Sequence, residues 1–140
     1  MPYPELMVKP MRDELTTNGF QELRTPDDVD QFMAHTDDTS LLVVNSVCGC
    51  AAGMARPGVL FALQNATTKP ARLATVFAGQ DVEATHKARG YFPEIPPSSP
   101  SMALFKGGEL VWFLPRHRIE ARTAEDVAAD LNAAFDEHCA

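Results

Sequence analysis

Leu41-Leu42-Val43-Val44-Asn45-Ser46-Val47-Cys48-Gly49-Cys50 is the stretch on which the reading of this chain turns. Its first four residues form a continuous apolar run rich in β-branched side chains, the pattern of a strand covered on both faces in a parallel sheet. The run leads directly to two thiols one residue apart, and residues 51–66 beyond them are mostly good helix-forming sequence. A strand, a thiol pair and a helix in that order place Cys48 at a helix entrance. There, unpaired amides and the helix dipole stabilise a thiolate. Cys48 precedes the helix and stays accessible, so it is the candidate nucleophile, while Cys50 turns inward.

The flanking sequence supplies the scaffold. The helix after the cysteines carries an apolar face at Met54, Leu60, Phe61 and Leu63 and is expected to kink at Pro57. Residues 71–78 form a second core strand through Leu73, Val76 and Phe77, and Asp81 is placed to cap a helix that stops at Gly90. Prolines at 93, 96, 97 and 100 forbid a regular element over residues 91–101. Gly107-Gly108 then joins two strands as an antiparallel hairpin, and Thr123 opens a last helix with Val127, Leu131, Ala134 and Phe135 on one buried face. On the N-terminal side, residues 6–17 carry Leu6, Met7, Met11 and Leu15 at helical spacing, with Pro10 marking or bending the helix start. Asn18-Gly19 ends that helix, and residues 20–23 alternate as a short strand. Thr25-Pro26-Asp27-Asp28 caps a helix that buries Val29, Phe32 and Met33. The expected architecture is α/β. One domain over residues 1–140 has a central mixed sheet flanked by helices and a C-terminal β-hairpin followed by a helix.

Charge and cysteine usage narrow the function. A net charge of −7, from 19 acidic against 12 basic residues, argues against a grip on nucleic-acid phosphates or anionic lipid. The N-terminal Met1-Pro2-Tyr3-Pro4-Glu5 has no basic region followed by an apolar core, and no apolar run approaches about 18 residues. A reducing cytoplasm is therefore the expected location, with no membrane partner. In that setting closely spaced cysteines are catalytic or metal-binding more often than structural.

The spacing has a geometric consequence. An extended Cys-Gly-Cys separates its outer Cα atoms by roughly 7 Å, beyond the usual disulfide range of about 4.4–6.8 Å, so a bond between Cys48 and Cys50 demands a bent backbone. Gly49, without a Cβ, allows the bend. The ring is one residue shorter than that closed by Cys-x-x-Cys, which makes the disulfide easier to reduce and favours chemistry in which it forms transiently. Cys48 would attack a mixed disulfide on a client and take over its cap, and Cys50 would resolve the adduct by attacking Cys48. Arg56 is the nearest charge along the chain, with a solvated helix position as an equally good reading.

Other residues extend or rival this site. Thiol-redox folds place a proline loop opposite the cysteines, and Ser99-Pro100, just before the strand at 102–106, is in position for it. A cis bond there would expose backbone groups of Ser99 to a bound client. Cys139, the penultimate residue, reads either as a spare thiol on a mobile tail or as a relay of disulfides. Cys48, Cys50, His138 and Cys139 are four acceptable zinc ligands in a spacing that matches no usual finger, and a metal or iron–sulfur carrier built on Cys48 and Cys50 is the reading from another functional class. His35, His86 and His117 read as surface residues, and Trp112 and the phenylalanines as core.

Val44-Asn45-Ser46-Val47-Cys48-Gly49-Cys50-Ala51-Ala52-Gly53 followed by Ala55-Arg56-Pro57-Gly58 closely resembles the bacilliredoxins, small bacterial thioredoxin-fold proteins. So do Pro97-Ser98-Ser99-Pro100-Ser101, Ala103-Leu104-Phe105-Lys106 and His117-Arg118-Ile119-Glu120. The likeness runs from Met11-Arg12-Asp13-Glu14-Leu15 and Gly19-Phe20 to Cys139. It implies a thioredoxin-like fold and removal of bacillithiol, a low-molecular-weight thiol, from S-bacillithiolated proteins, with Cys48 attacking and Cys50 resolving. No cofactor beyond that thiol substrate is implied. Disulfide isomerase or general oxidoreductase activity is the alternative that goes with the family, and a cysteine near the C-terminus is part of its pattern. The Cys-Gly-Cys spacing departs from the Cys-x-x-Cys of the wider fold.

Overall fold

The computed structural model describes residues 2–140, so Met1 of the N-terminal segment lies outside it. Five strands form one mixed sheet in the order β1-β3-β2-β4-β5. These are β1 (Gln21–Glu22), β2 (Thr39–Asn45), β3 (Arg72–Phe77), β4 (Ser101–Lys106) and β5 (Glu109–Leu114). β2 is central, parallel to β3 on one side and antiparallel to β4 on the other. Six of its seven residues are buried, as the apolar run requires.

Alternation along β2 sorts the core into two layers, because successive side chains of a strand point to opposite faces. Leu41 and Val43 pack with the helices α1 (Glu5–Thr16), α3 (Arg56–Asn65) and α5 (Ala124–His138). Leu42 and Val44 pack on the other face with α2 (Pro26–Met33) and α4 (Val82–Arg89). No helix among the described residues is long and apolar enough to cross a membrane.

Local signals set several element ends as the sequence implies. Thr25 and Thr123 each form a capping box, with Asp28 and Asp126 returning a carboxylate to the cap N–H. Gly107 and Gly108 adopt φ of 62° and 82°, the left-handed pair that a two-residue hairpin needs. His35, His86 and His117 lie on the surface.

Four details depart from the sequence reading. In α1 the buried residues are Val8, Arg12 and Leu15, while Leu6 is 87% exposed. Arg12 displaces apolar residues from that face because its guanidinium binds Glu5, Glu22 and Asp81 together. For the same reason Asp81 does not cap α4 with its side chain. Its carboxylate accepts from Arg12 at 2.6 and 3.0 Å. The irregularity in the helix after the cysteines lies just before Pro57: it is one π-helical turn at Ala51–Ala55, and Pro57 sits in the first turn of α3. A proline ring crowds the carbonyl four residues earlier in an α-helix, and the wider turn just before Pro57 relieves that crowding. The buried face of this segment is made of small residues. Ala51, Ala55, Gly58, Val59 and Ala62 are buried and Phe61 is exposed. A Cβ on Gly58 would come within 2.8 Å of Val127 Cγ1, so glycine there sets how closely α3 and α5 approach.

Candidate active site

The last residues of β2 are anchored from two helices before the chain reaches the thiols. Asn45, buried at 1% exposure, donates from Nδ2 to the Met11 carbonyl of α1 at 3.1 Å. Its Oδ1 accepts from the Ser46 N–H and from Arg56 Nη1, both at 2.8 Å. Arg56 also donates to the Ser46 carbonyl at 2.9 Å and, through Nε, to Glu14 at 2.8 Å. It is 3% exposed, which overturns the reading of a solvated helix position. A buried guanidinium persists only where its N–H groups are matched by acceptors, and here Glu14 of α1, Asn45 at the end of β2 and the Ser46 carbonyl supply them.

Ser46 passes this rigidity to the nucleophile. Its hydroxyl donates to Cys48 Sγ at 3.2 Å and accepts from the Cys48 N–H at 3.1 Å. Cys48 is half-buried, Cys50 is buried, and both thiols are free with sulfurs 2.6 Å apart. Burial pushes the Cys48 thiol up, but hydrogen bonds from Cys50, the Ser46 hydroxyl and the backbone N–H groups of Ala51 and Cys50 outweigh it and bring Cys48 below the usual cysteine range. Cys50 moves the opposite way. Burial raises it, and the adjacent Cys48 sulfur adds to the rise, against a smaller opposing effect of the Arg116 charge. The pair is therefore asymmetric, with Cys48 the thiol that ionises more readily and Cys50 the one that holds its proton more firmly.

A cavity of about 330 Å³ opens over Cys48, lined among others by Ser46, Arg89, Ser99 and Arg116. The Ser99–Pro100 bond is cis, and Pro100 is buried. The proline loop thus faces the thiols as its place in the chain implies. The Ser99 carbonyl already accepts from Arg116 Nη1 at 3.2 Å.

Comparison with known proteins settles the family. Residues 3–139 match the family described as disulphide isomerase. The chain is also 56% identical over 137 residues to a bacilliredoxin of Geobacillus kaustophilus, covering 98% of this chain and 94% of that one. The chain belongs to the bacilliredoxin family. A bacilliredoxin of Bacillus cereus is 55% identical over 137 residues (98% and 95% covered), and one of Salinibacter ruber is 55% identical over 140 (99% and 82%). Among solved structures, Fasciola hepatica thioredoxin superposes with a TM-score of 0.58 at 15% identity, covering 85% of this chain and 99% of that one. Oxidised thioredoxin O2 of Arabidopsis thaliana gives 0.57 at 16%, covering 87% and 96%. At such identities these two establish the fold alone, which is thioredoxin-like. A bacilliredoxin with this fold is a thiol-disulfide oxidoreductase, acting on thiol or disulfide clients.

The remaining bacilliredoxin candidates fall away from the pair. Cys139 is not on a mobile tail. It ends α5, donates its N–H to the Phe135 carbonyl at 2.8 Å and packs on the core layer of α1, α3 and α5. Burial raises its thiol, against a smaller lowering by the neighbouring Thr39 at the start of β2. Cys48 lies beyond the other end of that strand. Six residue steps of about 3.3 Å separate the two ends by roughly 20 Å, so Cys139 and its neighbour His138 cannot join Cys48 and Cys50 around one zinc ion. Among the described residues no three His, Cys, Asp or Glu side chains gather to hold a metal. Gly49 does not occupy the left-handed region, and a Cβ there would meet nothing within 4 Å. In the dithiol state its contribution is clearance over the sulfurs, not an unusual dihedral.

Ser46, Arg89 and Arg116 escape the sequence reading as parts of one site, whereas Arg56 is visible in it only as the nearest charge along the chain. Ser46 stands within the quoted motif, whereas Arg89 and Arg116 reach the cavity over Cys48 only through the packing of α4 and the turn after β5. The asymmetry of the pair predicts a pH profile. Alkylation of Cys48 rises at lower pH than that of an unperturbed thiol, since the thiolate reacts and its hydrogen bonds depress the pKa. In Cys50→Ala that rise moves to higher pH, because the S–H donor to the thiolate is gone. Peptide-resolved alkylation kinetics from acid to alkaline pH measure both.

Proposed function

We propose that this protein removes bacillithiol from S-bacillithiolated proteins, with Cys48 as the attacking thiol and Cys50 as the resolving one. The observation that carries the proposal is the asymmetric pair, a depressed Cys48 at the mouth of a cavity with the Cys50 thiol against its sulfur. The bacilliredoxin names of the relatives supply the substrate class. Cys48 thiolate attacks the cap sulfur, the client–cap disulfide breaks, and the client leaves as a thiolate that takes up a proton. Cys50 then attacks Cys48 Sγ, forming the internal disulfide and releasing the cap, which receives the Cys50 proton. The client–cap disulfide gains two electrons, one on the client sulfur and one on the cap sulfur, and the cysteine pair loses them. A low-molecular-weight thiol returns them in a later step. The open space over Gly49 admits the client, and the Ser99-Pro100 loop forms the opposite wall. A reducing cytoplasm suits this cycle, since it keeps the pair as dithiol.

Mass spectrometry of a bacillithiolated client mixed with the protein tests the scheme. Wild type releases the client thiol, and Cys50→Ala stops with bacillithiol on Cys48. Absence of that adduct, with the client still deprotected, would remove Cys50 from the resolving role.

Disulfide isomerisation is the second reading, favoured by the description of the matching family. It needs one attacking thiol, so it predicts that Cys50→Ala still rearranges scrambled disulfides. A metal or iron–sulfur carrier would draw two ligands from Cys48 and Cys50 and the others from a partner. Stoichiometric zinc or iron in protein purified without chelator would favour it.

A further inference from the structure

Arg89 and Arg116 come from distant parts of the chain and both line the cavity over Cys48. Each is tied to the proline loop through consecutive carbonyls. Arg89 Nη2 donates to the Ser98 carbonyl at 3.3 Å, and Arg116 Nη1 to the Ser99 carbonyl at 3.2 Å. No aspartate or glutamate lines this cavity, although the chain as a whole carries a net charge of −7. Among the described residues Arg89 has no carboxylate partner, and desolvation lowers its pKa, as expected of a cation held partly out of water without a counter-charge. Arg116 holds Glu120 with Nε at 2.9 Å and lies close enough for its charge to act on both sulfurs.

We propose that Arg89 and Arg116 bind the carboxylate of a low-molecular-weight thiol cap while Cys48 attacks its sulfur. The inference rests on the reading that Cys48 takes over a small cap, and it adds the chemical class of cap that the pocket selects. A forked guanidinium matches a carboxylate through two parallel N–H donors, and its hold is stronger in a partly dry pocket than in water. A cavity of about 330 Å³ is at the small end of ligand pockets and suits a cap of this kind more than a folded client surface. Because the loop that carries Ser99 also orients both arginines, cap and nucleophile are aligned by one element. The positive wall further favours departure of the client and retention of the anionic cap on Cys48.

One client peptide capped in turn with bacillithiol, glutathione or 2-mercaptoethanol tests this. The first two caps carry carboxylates and the third is neutral. The measured quantity is the ratio of kcat/KM for each carboxylate-bearing cap to that for the neutral cap, which is insensitive to the fraction of correctly folded protein. In Arg89→Gln the ratio falls on the order of ten- to hundredfold, as loss of a charge-assisted hydrogen bond requires, and the fall is in KM more than kcat. Arg89→Lys recovers part of it, and Arg116→Gln lowers it as well. An unchanged ratio in both glutamine variants overturns the inference, whatever cap the wild type prefers. A wild type that releases glutathione faster than bacillithiol, with the ratio still falling in Arg89→Gln, overturns the bacillithiol assignment and leaves the carboxylate site standing.

Discussion

Cys48→Ser reduces cap release to the uncatalysed rate, a loss of at least about a thousandfold in kcat/KM. The substitution keeps the size and hydrogen-bonding capacity of the side chain. What it removes is the thiolate, since a serine hydroxyl is not ionised near neutral pH and cannot displace a thiol from a disulfide. Cys50 does not substitute, because it is buried and its pKa is pushed up by that burial and by its neighbour. Folding is unaffected to within about 0.5 kcal/mol, because the position is half-buried and the change close to isosteric. Single-turnover release of the client thiol, followed beside thermal unfolding of the same sample, measures both quantities. Retained exchange in a stably folded Cys48→Ser protein would eliminate Cys48 as nucleophile.

Arg12→Leu costs about 3–5 kcal/mol of folding stability, the range for removing one partner from a buried ionic cluster, and so a large share of a typical total of about 5–15. The Arg12 side chain is 5% exposed and gathers Glu5, Glu22 and Asp81, joining α1 to β1 and to the start of α4. It also lies 5.3 Å from the centre of the Phe77 ring. Its removal leaves three carboxylates with the half-exposed Arg24, 3.4–4.0 Å from them, as a weaker counter-charge, and with Asp81 poorly solvated. The pH dependence follows. Glu5 is lowered mainly by its hydrogen bond to Arg12, so its favourable coupling is present above the unfolded carboxylate pKa and lost as pH falls through the folded value. The variant lacks that coupling and gains repulsion that protonation relieves, so the deficit narrows as pH drops through the carboxylate range. Urea denaturation of both proteins near neutral pH and near pH 4 measures it. Equal stability at neutral pH would mean that the cluster is not a structural clasp.

The same residue shows why parts of the fold were not legible in the chain. At helical spacing Arg12 reads as one more solvated charge, and Leu6 as the better core residue. The assignment reverses because the two acids most shielded from solvent with it come from β1 and the start of α4, and neither contact leaves a local pattern. Asp81 carries the mark of a helix cap but gives its carboxylate to Arg12. Pro57 marks a kink, yet the chain absorbs the proline with a wide turn one step earlier. Local devices that complete themselves within one turn behaved differently. The capping boxes of Thr25 and Thr123 and the Gly107-Gly108 hairpin need no distant partner, and each formed where its residues stand.

At the site, the order of strand, thiol pair and helix, the inward turn of Cys50 and the place of the proline loop are legible in the chain alone, since they follow from β2 periodicity and from neighbours within a few residues. Packing between elements alone establishes that Arg56 is buried as the anchor of Asn45 and Ser46 and that Arg89 and Arg116 converge on the cavity over Cys48. It also decided that Cys139 lies at the far end of β2 from the thiols. Those outcomes depend on which elements pack side by side and in which direction they run, and burial of a charge depends on acceptors brought from elsewhere in the chain. Neither is written in the spacing of adjacent residues.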